Sequence, residues 1–158
     1  MTITEKILAI DWRNYDTAYG NAAQDVPYYV PIGDGREYVT SVGQSLLALF
    51  SDDKKAALQA SHELWCSLCH QHAFVSSAAL PAYDILFYGL QNLDDALKVE
   101  ILDIFMGFAI CLPKDTPKNS WQGQLRAKLE NDKPYFQLLL SHTNDTIAGF
   151  AENILEEL

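Results

Sequence analysis

The apolar residues of this chain recur at spacings of three and four positions along most of its length. That spacing places them on one face of an α-helix, and polar residues occupy the opposite face. Six apolar stripes follow this pattern: Leu8, Trp12, Tyr15 and Tyr19; Val42, Leu46, Leu47 and Phe50; Ala57, Ala60, Leu64, Trp65 and Leu68; Ala79, Ala82, Tyr83, Leu86 and Leu90; Leu97, Ile101, Leu102, Ile104, Phe105 and Phe108; and Ile147, Phe150, Ala151, Ile154, Leu155 and Leu158. The pattern predicts an all-α protein.

Residues typical of helix ends lie beside these stripes. Gly20 is a candidate C-cap for the first helix, because glycine readily adopts the left-handed conformation that ends helices. Candidate N-caps are Asp52 for the third stripe, Asn92 or Asp94 for the fifth, and Thr143 or Asn144 for the last. Each of these side chains can accept a hydrogen bond from the first turn of the helix that follows.

Prolines and polar runs separate the stripes. Pro27 and Pro31 bracket a short helix at most, and residues 33–38 and 112–120 read as loops. Pro134 divides a helix over 121–130 from one over 135–141. Alternating strand patterns are nearly absent, and residues 36–40, REYVT, are the single short candidate.

The stripes and breakers together predict seven to eight helices joined by short connections, which favour antiparallel pairs. Helix pairs of about 40 residues are typical of a HEAT-like α-solenoid. An irregular helical bundle is the alternative. Residues 1–158 are expected to form one domain, since a chain of this length can bury a single core.

The composition is that of a globular protein with an acidic surface. Apolar residues make up 49% of the chain, and 21 acidic against 11 basic residues give a formal charge of −10. Such a charge repels nucleic acid and anionic lipid and favours a basic partner, or it keeps the protein in solution. No apolar run is long enough to span a membrane, and the N-terminal residues do not resemble a signal peptide. With three cysteines, an odd number, we expect a reduced, cytoplasmic protein.

Two cysteines and two histidines lie within the stretch CSLCHQH, residues 66–72. Cys66, Cys69, His70 and His72 are conceivable zinc ligands, and the spacing also matches a c-type haem attachment motif. However, the two cysteines fall on one face of a predicted helix, and the histidines follow too closely to complete a tetrahedron easily. Haem attachment needs an exported protein. We therefore interpret the stretch as packing at a helix end, with no metal and no cofactor.

A wider window carries a family resemblance. The segments ELWCSLCHQHAFVSSAALPAYDILFYGL (63–90) and IDWRNYDTAYGNAAQDVP (10–27) resemble a family of HEAT-like helical proteins of bacteria. The shared features are a helix that ends in His-Gln, an aromatic residue in the turn, a small-residue stretch and a proline in the next helix. His72 stands where the family has glycine, so a left-handed turn is less expected there. Members are often immunity proteins that neutralise polymorphic toxins, including those of contact-dependent growth inhibition.

Under this resemblance the partner is a toxin domain, and a basic nuclease would suit the acidic charge. We expect the contact surface in the segment DVPYYVPIGDGREY, because tyrosine and arginine are common interface anchors. The candidate partner-binding residues there are Asp25, Tyr28, Tyr29, Asp34, Arg36, Glu37 and Tyr38. Asp84 and Tyr88, at the edge of the fourth stripe, form a second candidate set.

Two other function classes are open from the sequence. One is a HEAT-like scaffold or adaptor for a different protein partner. The other is an enzyme such as a helical-repeat DNA glycosylase, but that activity requires a positive groove, which the net charge of −10 disfavours. No catalytic motif is present, so we expect no enzymatic activity.

Overall fold

The computed structural model describes residues 1–24, 26–29 and 37–158; for 26–29 and 37–40 it describes the backbone strands. Eight α-helices occur in these residues, and the prediction of an all-α fold with seven to eight helices is confirmed. They are α1 (Ile3–Ala9), α2 (Val42–Leu49), α3 (Lys54–Cys69), α4 (Ala79–Asn92), α5 (Asp95–Cys111), α6 (Trp121–Asn131), α7 (Lys133–Leu139) and α8 (Asp145–Glu157).

The helices pack in stacked pairs. Helix α2 packs on α3, α4 on α5, and α7 on α8. Helices α3, α5 and α8 then lie side by side in one row, while α4 contacts α6 in the other. The core between the rows is rich in aromatic side chains, of which Tyr83, Phe105, Phe108 and Phe136 are fully buried. Whether these pairs are HEAT repeats stays a prediction.

Local capping explains where the helices begin. The side chain of Asp94 accepts a hydrogen bond from the Leu97 amide at 3.0 Å, and Asn144 caps α8 in the same way. Both N-cap predictions are confirmed. The third helix is capped by Asp53 and not by Asp52. The division at Pro134 is also confirmed, since α6 ends at Asn131 and α7 begins at Lys133.

Residues 8–21 differ from the prediction. The expected helix from Leu8 to Tyr19 is wrong: α1 ends at Ala9, a 3-10 turn covers Trp12–Asn14, and a hairpin of β1 (Asp16–Thr17) and β2 (Gly20–Asn21) follows. Gly20 has a φ of 127°, and it therefore turns this hairpin and caps no helix.

Long-range hydrogen bonds explain why this segment is not helical. The Ala18 amide donates to the Ser67 carbonyl at 2.9 Å, and the Ala78 amide donates to the Asp16 carbonyl at 3.0 Å. These bonds attach the β1–β2 hairpin to the end of α3 and the start of α4. The backbone polar groups thus find partners in distant residues, and a local helical periodicity does not decide the outcome.

A second hairpin joins β3 (Val26–Tyr29) to β4 (Glu37–Thr40), antiparallel, with Pro27 opposite Val39. Pro27 thus lies in a strand, within the limit of a short helix at most that its spacing from Pro31 predicted. The strand expected within residues 36–40 is confirmed for Glu37–Thr40. A two-stranded ladder accommodates Pro27, because one side of each strand needs no hydrogen-bond donor. No helix of the described residues is long and apolar enough to cross a membrane.

The contact between the end of α3 and α5 is closest at Gly107. A Cβ added to Gly107 would lie 2.7 Å from Cys69 Sγ, 2.8 Å from Cys69 Cβ and 2.9 Å from His72 Cδ2. Helix α3 ends at Cys69, so a glycine on α5 sets how closely the two helices approach there. Gly149 on α8, in contrast, has no atom within 4 Å of such a Cβ.

Gly107→Ala and Gly149→Ala are expected to shift stability in opposite directions. In both variants alanine favours the helix more than glycine does, which by itself raises the free energy of unfolding by about 1 kcal/mol. Gly149→Ala keeps that gain, whereas Gly107→Ala must displace Cys69 and His72, which costs roughly 1–3 kcal/mol in a packed interior. Urea unfolding monitored by circular dichroism measures both changes in the free energy of unfolding. A Gly107→Ala protein as stable as Gly149→Ala would contradict the close packing.

Candidate protein-binding surface

The three residues that follow α3 form a left-handed turn. His70, Gln71 and His72 have φ values of 42°, 56° and 68°, and none of them is glycine. Each such residue costs roughly 1–2 kcal/mol relative to a right-handed conformation. The expectation that His72 disfavours a left-handed turn is therefore wrong. Strain of this kind persists only where surrounding contacts compensate for it, and it concentrates at functional sites.

Contacts with α5 hold the turn in place. Nε2 of His72 lies 2.7 Å from Oδ1 and 2.8 Å from the carbonyl oxygen of Asp103. The Cys111 thiol donates to the His72 carbonyl at 3.3 Å. Beyond the turn, the Ser76 amide donates to the Leu68 carbonyl at 2.9 Å, so the chain returns to the end of α3. His72 thus connects the turn to α5.

The turn directs His70 outward between two exposed aromatic rings. The His70 ring lies 5.9 Å from the ring of Tyr19 and 5.0 Å from that of Phe74, measured between centroids. Tyr19 is 44% exposed and Phe74 48% exposed. Gln71, at the tip, is exposed. We call Tyr19, His70, Gln71 and Phe74 the turn surface.

One ring nitrogen of this surface lacks a partner. Nδ1 of His70 is buried and forms no hydrogen bond within the described part of the chain. A buried polar atom without a partner costs free energy.

The two cysteines of the stretch make separate contacts. Cys66 contacts His62 Nε2 at 3.8 Å and interacts with the Tyr19 hydroxyl, while the Cys69 thiol donates to the Trp65 carbonyl at 3.3 Å. Burial raises the pKa of Cys66, and it raises the pKa of Cys69 to about 12. Both thiols therefore stay protonated near neutral pH, whereas metal ligation requires the thiolate.

The histidines do not join the cysteines as ligands either. His70 packs between aromatic rings, and His72 is bound to Asp103. Within residues 1–24 and 41–158, no group of three or more His, Cys, Asp or Glu side chains is arranged to hold a metal ion. Cys66 and Cys69 are buried at the end of α3 in the structure, as the packing interpretation predicted.

The predicted contact residues fall into three groups. Asp25, Asp34 and Arg36 lie outside the described residues. Tyr28, Tyr29, Glu37 and Tyr38 lie on β3 and β4, where the register pairs Tyr28 with Tyr38 and Tyr29 with Glu37. This second hairpin follows the β1–β2 hairpin, which carries Tyr19, along the chain. A backbone hydrogen bond joins the ends of the two hairpins, because the Val42 amide, just after β4, donates to the Ala22 carbonyl, just after β2, at 3.4 Å.

The third group, on α4, makes separate contacts. Both carboxylate oxygens of Asp84 accept from Lys128 Nζ, at 2.8 Å and 3.0 Å, so the charge of Asp84 is already compensated. The ring of Tyr88 is 42% exposed and lies 5.9 Å from that of Phe50. No contact in the described residues joins Asp84 or Tyr88 to the turn surface. They remain exposed, but the structure does not bring them to that surface.

Sequence reasoning missed Tyr19 and Phe74 as surface residues. Tyr19 was expected on a buried helical stripe, and only the dipeptide Tyr19-Gly20 could have indicated a hairpin turn instead. Phe74 follows the turn by two residues and carries no signal of its own. Comparison with protein-family models, with curated proteins and with solved structures finds no match for this chain. The family resemblance therefore rests on the quoted motifs.

At position 71, glycine is expected to be more stable than alanine. Gln71→Gly relieves the left-handed strain, whereas Gln71→Ala keeps it, so the two variants should differ by about 1 kcal/mol. Both lose the same weak contact of Gln71 Nε2 with Cys66 Sγ at 3.9 Å. Urea midpoints of the two variants measure the difference.

Gln124, exposed on α6, is the control, because glycine in a right-handed helix is less stable than alanine by about 1 kcal/mol. The glycine variant must therefore be the more stable of the two at position 71 and the less stable at position 124. The same order at both positions would show that the turn is not strained.

Proposed function

We propose that this chain is an immunity protein: a non-catalytic inhibitor that binds a cognate bacterial toxin domain and blocks its active site. The support is the resemblance of residues 10–110 to HEAT-like immunity proteins, the acidic charge and the turn surface. The turn surface carries the most weight, because a strained turn lies there between two exposed aromatic side chains. Its partner is expected in the cytoplasm.

The physical case for a binding surface lies in its rigidity. Tyr19 and Phe74 provide large apolar area, and His70 lies fixed between them. The turn is held by His72 and Asp103, so these groups are already ordered before a partner arrives. Ordering side chains costs about 0.5–1.5 kcal/mol for each one on binding, and a preformed surface avoids much of that cost.

The charge supports a basic partner. A nuclease needs positive charge to hold phosphates, and a protein with a formal charge of −10 attracts such a groove. The segment 25–38 contributes three acidic residues against one arginine. An interface of ordinary size, about 1,600 Å² in total, would cover a toxin active site. Inhibition by occlusion requires no reaction by this chain.

The proposal predicts that a toxin-like domain is encoded immediately upstream, and it is tested by co-expression with that domain. We expect survival of the cells and a one-to-one complex on purification. Tyr19→Ala/Phe74→Ala should abolish rescue or weaken binding about tenfold or more, since truncated interface anchors commonly cost more than 1 kcal/mol each. Leu8→Ala/Leu138→Ala removes two apolar side chains of α1 and α7 that are more exposed than Tyr19 and Phe74, and it should leave rescue intact.

Absence of both rescue and complex would remove the immunity role. A different protein recovered on the turn surface would instead support the adaptor role, for which the same double alanine variant is the test.

Charge reversal separates electrostatic steering from contact. Asp34→Lys/Glu37→Lys is expected to slow association with the toxin domain by about tenfold and to weaken its dependence on salt, since long-range attraction mainly raises the on-rate. Stopped-flow fluorescence at two ionic strengths measures both effects. Glu152→Lys/Glu156→Lys makes the same charge change on the exposed side of α8 and is the control. Equal effects of the two variants would show that only net charge matters.

A further inference from the structure

The loop between α5 and α6 is a tandem repeat of one four-residue turn. Its sequence is PKDT followed by PKNS, residues 113–116 and 117–120. In each copy the proline carbonyl accepts from the amide three residues later, at 3.2 Å for Thr116 and 3.0 Å for Ser120. The Thr116 and Ser120 hydroxyls donate to the same carbonyls. Lys114 and Lys118 therefore occupy equivalent positions in two successive turns.

The repeat is fixed against α6. A Cβ at Gly123 would lie 2.1 Å from the Pro117 carbonyl oxygen and 2.8 Å from the Lys118 Cα, so the loop touches the helix where a side chain is missing. Ser120 also caps α6 by accepting from the Gly123 amide at 3.1 Å. The backbone positions of the two lysines are thus set before any ligand binds.

Both lysines line one pocket of about 250 Å³. Arg126, which also lines it, is buried and donates to Glu130, to the Leu112 carbonyl and to the Glu157 carbonyl. Glu130 is the acidic residue of the lining, and its negative charge is compensated by an ion pair with Arg126. Lys114 and Lys118 are exposed and form no ion pair with any residue that the structure describes. Three of the chain's 11 cationic residues therefore meet at one place on an acidic protein.

An apolar groove lies on the other side of the same loop. Its volume is about 480 Å³, and Thr116 lines both it and the basic pocket. Its apolar lining comes from the following residues: Phe74, Val75, Leu112, Pro113, Pro117 and Trp121. A ligand that crosses Thr116 therefore meets an aromatic groove at one end and two unpaired ammonium groups at the other.

We propose that this loop is a docking site for an acidic peptide segment of a partner protein. A large apolar side chain of the segment would fill the groove beside Trp121, and its carboxylates would bind Lys114 and Lys118. The pairing follows from charge complementarity, since carboxylates are the anions that a peptide offers beside an apolar side chain. A free anion would use the pocket and leave the groove unused. Phe74 lines this groove and also belongs to the turn surface. The inference nevertheless does not rest on the proposed function, because it concerns the lysines of a positive site and the toxin role calls for an acidic one.

The test uses the full chain and three fluorescein-labelled peptides in fluorescence anisotropy. The peptide EEFEE is expected to bind at least about tenfold more tightly than EEAEE, which lacks the ring, and than KKFKK, which reverses the charge. Lys114→Glu/Lys118→Glu should weaken EEFEE binding about tenfold or more, and Trp121→Ala should remove the preference for EEFEE over EEAEE. Lys6→Glu/Lys55→Glu, two exposed lysines on α1 and α3, is the control for net charge.

Circular dichroism and urea unfolding establish that each variant is folded, and the lysine changes are at exposed positions. The proposal is overturned if EEFEE binds no better than EEAEE, if it fails to bind at millimolar concentration, or if the two lysine pairs have equal effects. Binding of inorganic phosphate that competes with EEFEE, but no preference for the ring, would reduce the site to an anion pocket and would also overturn it. None of these outcomes involves the toxin domain, so they do not affect the rescue experiment.

Discussion

The close approach of the end of α3 to α5 at Gly107 constrains everything around it. Cys69 and His72 both lie against the position where a Cβ would be, one as the last residue of α3 and one after its end. The chain must therefore turn within three residues, and it does so through a left-handed conformation. The bond from His72 to Asp103 and that from Cys111 to the His72 carbonyl keep the turn against α5.

This constraint determines what the surface presents. Because His72 points toward α5, His70 and Gln71 are left on the outside, and His70 completes a row with Tyr19 and Phe74. The row is assembled from a hairpin, a helix end and a loop, which stay together through backbone bonds such as that from Ala18 to Ser67. Side chains that are already ordered lose little conformational entropy when a partner binds, so a surface built this way suits recognition.

The loop between α5 and α6, which carries Lys114 and Lys118, is likewise held in place by a close backbone contact, but it is basic. A missing side chain at Gly123 lets the loop rest on α6, and repeated turns then place Lys114 and Lys118 on one pocket. The protein thus combines a net charge of −10 with a local basic site. Net charge sets long-range attraction, whereas the local arrangement sets what is held at contact. The two sites differ in charge but share Phe74, so partners of different chemistry would compete for that ring.

The sequence by itself determined the helices from residue 42 onward and several of their ends. Stripes at helical spacing, the caps Asp94 and Asn144 and the break at Pro134 depend on interactions within four residues, and such local signals survive in any fold. Only the tertiary structure decided the conformation of residues 10–24, the exposure of Tyr19 and the left-handed turn. The physical reason is distance along the chain: Asp16 binds Ala78, His70 lies against Tyr19, and His72 meets Asp103. No local periodicity encodes contacts between residues that are 31 to 62 positions apart.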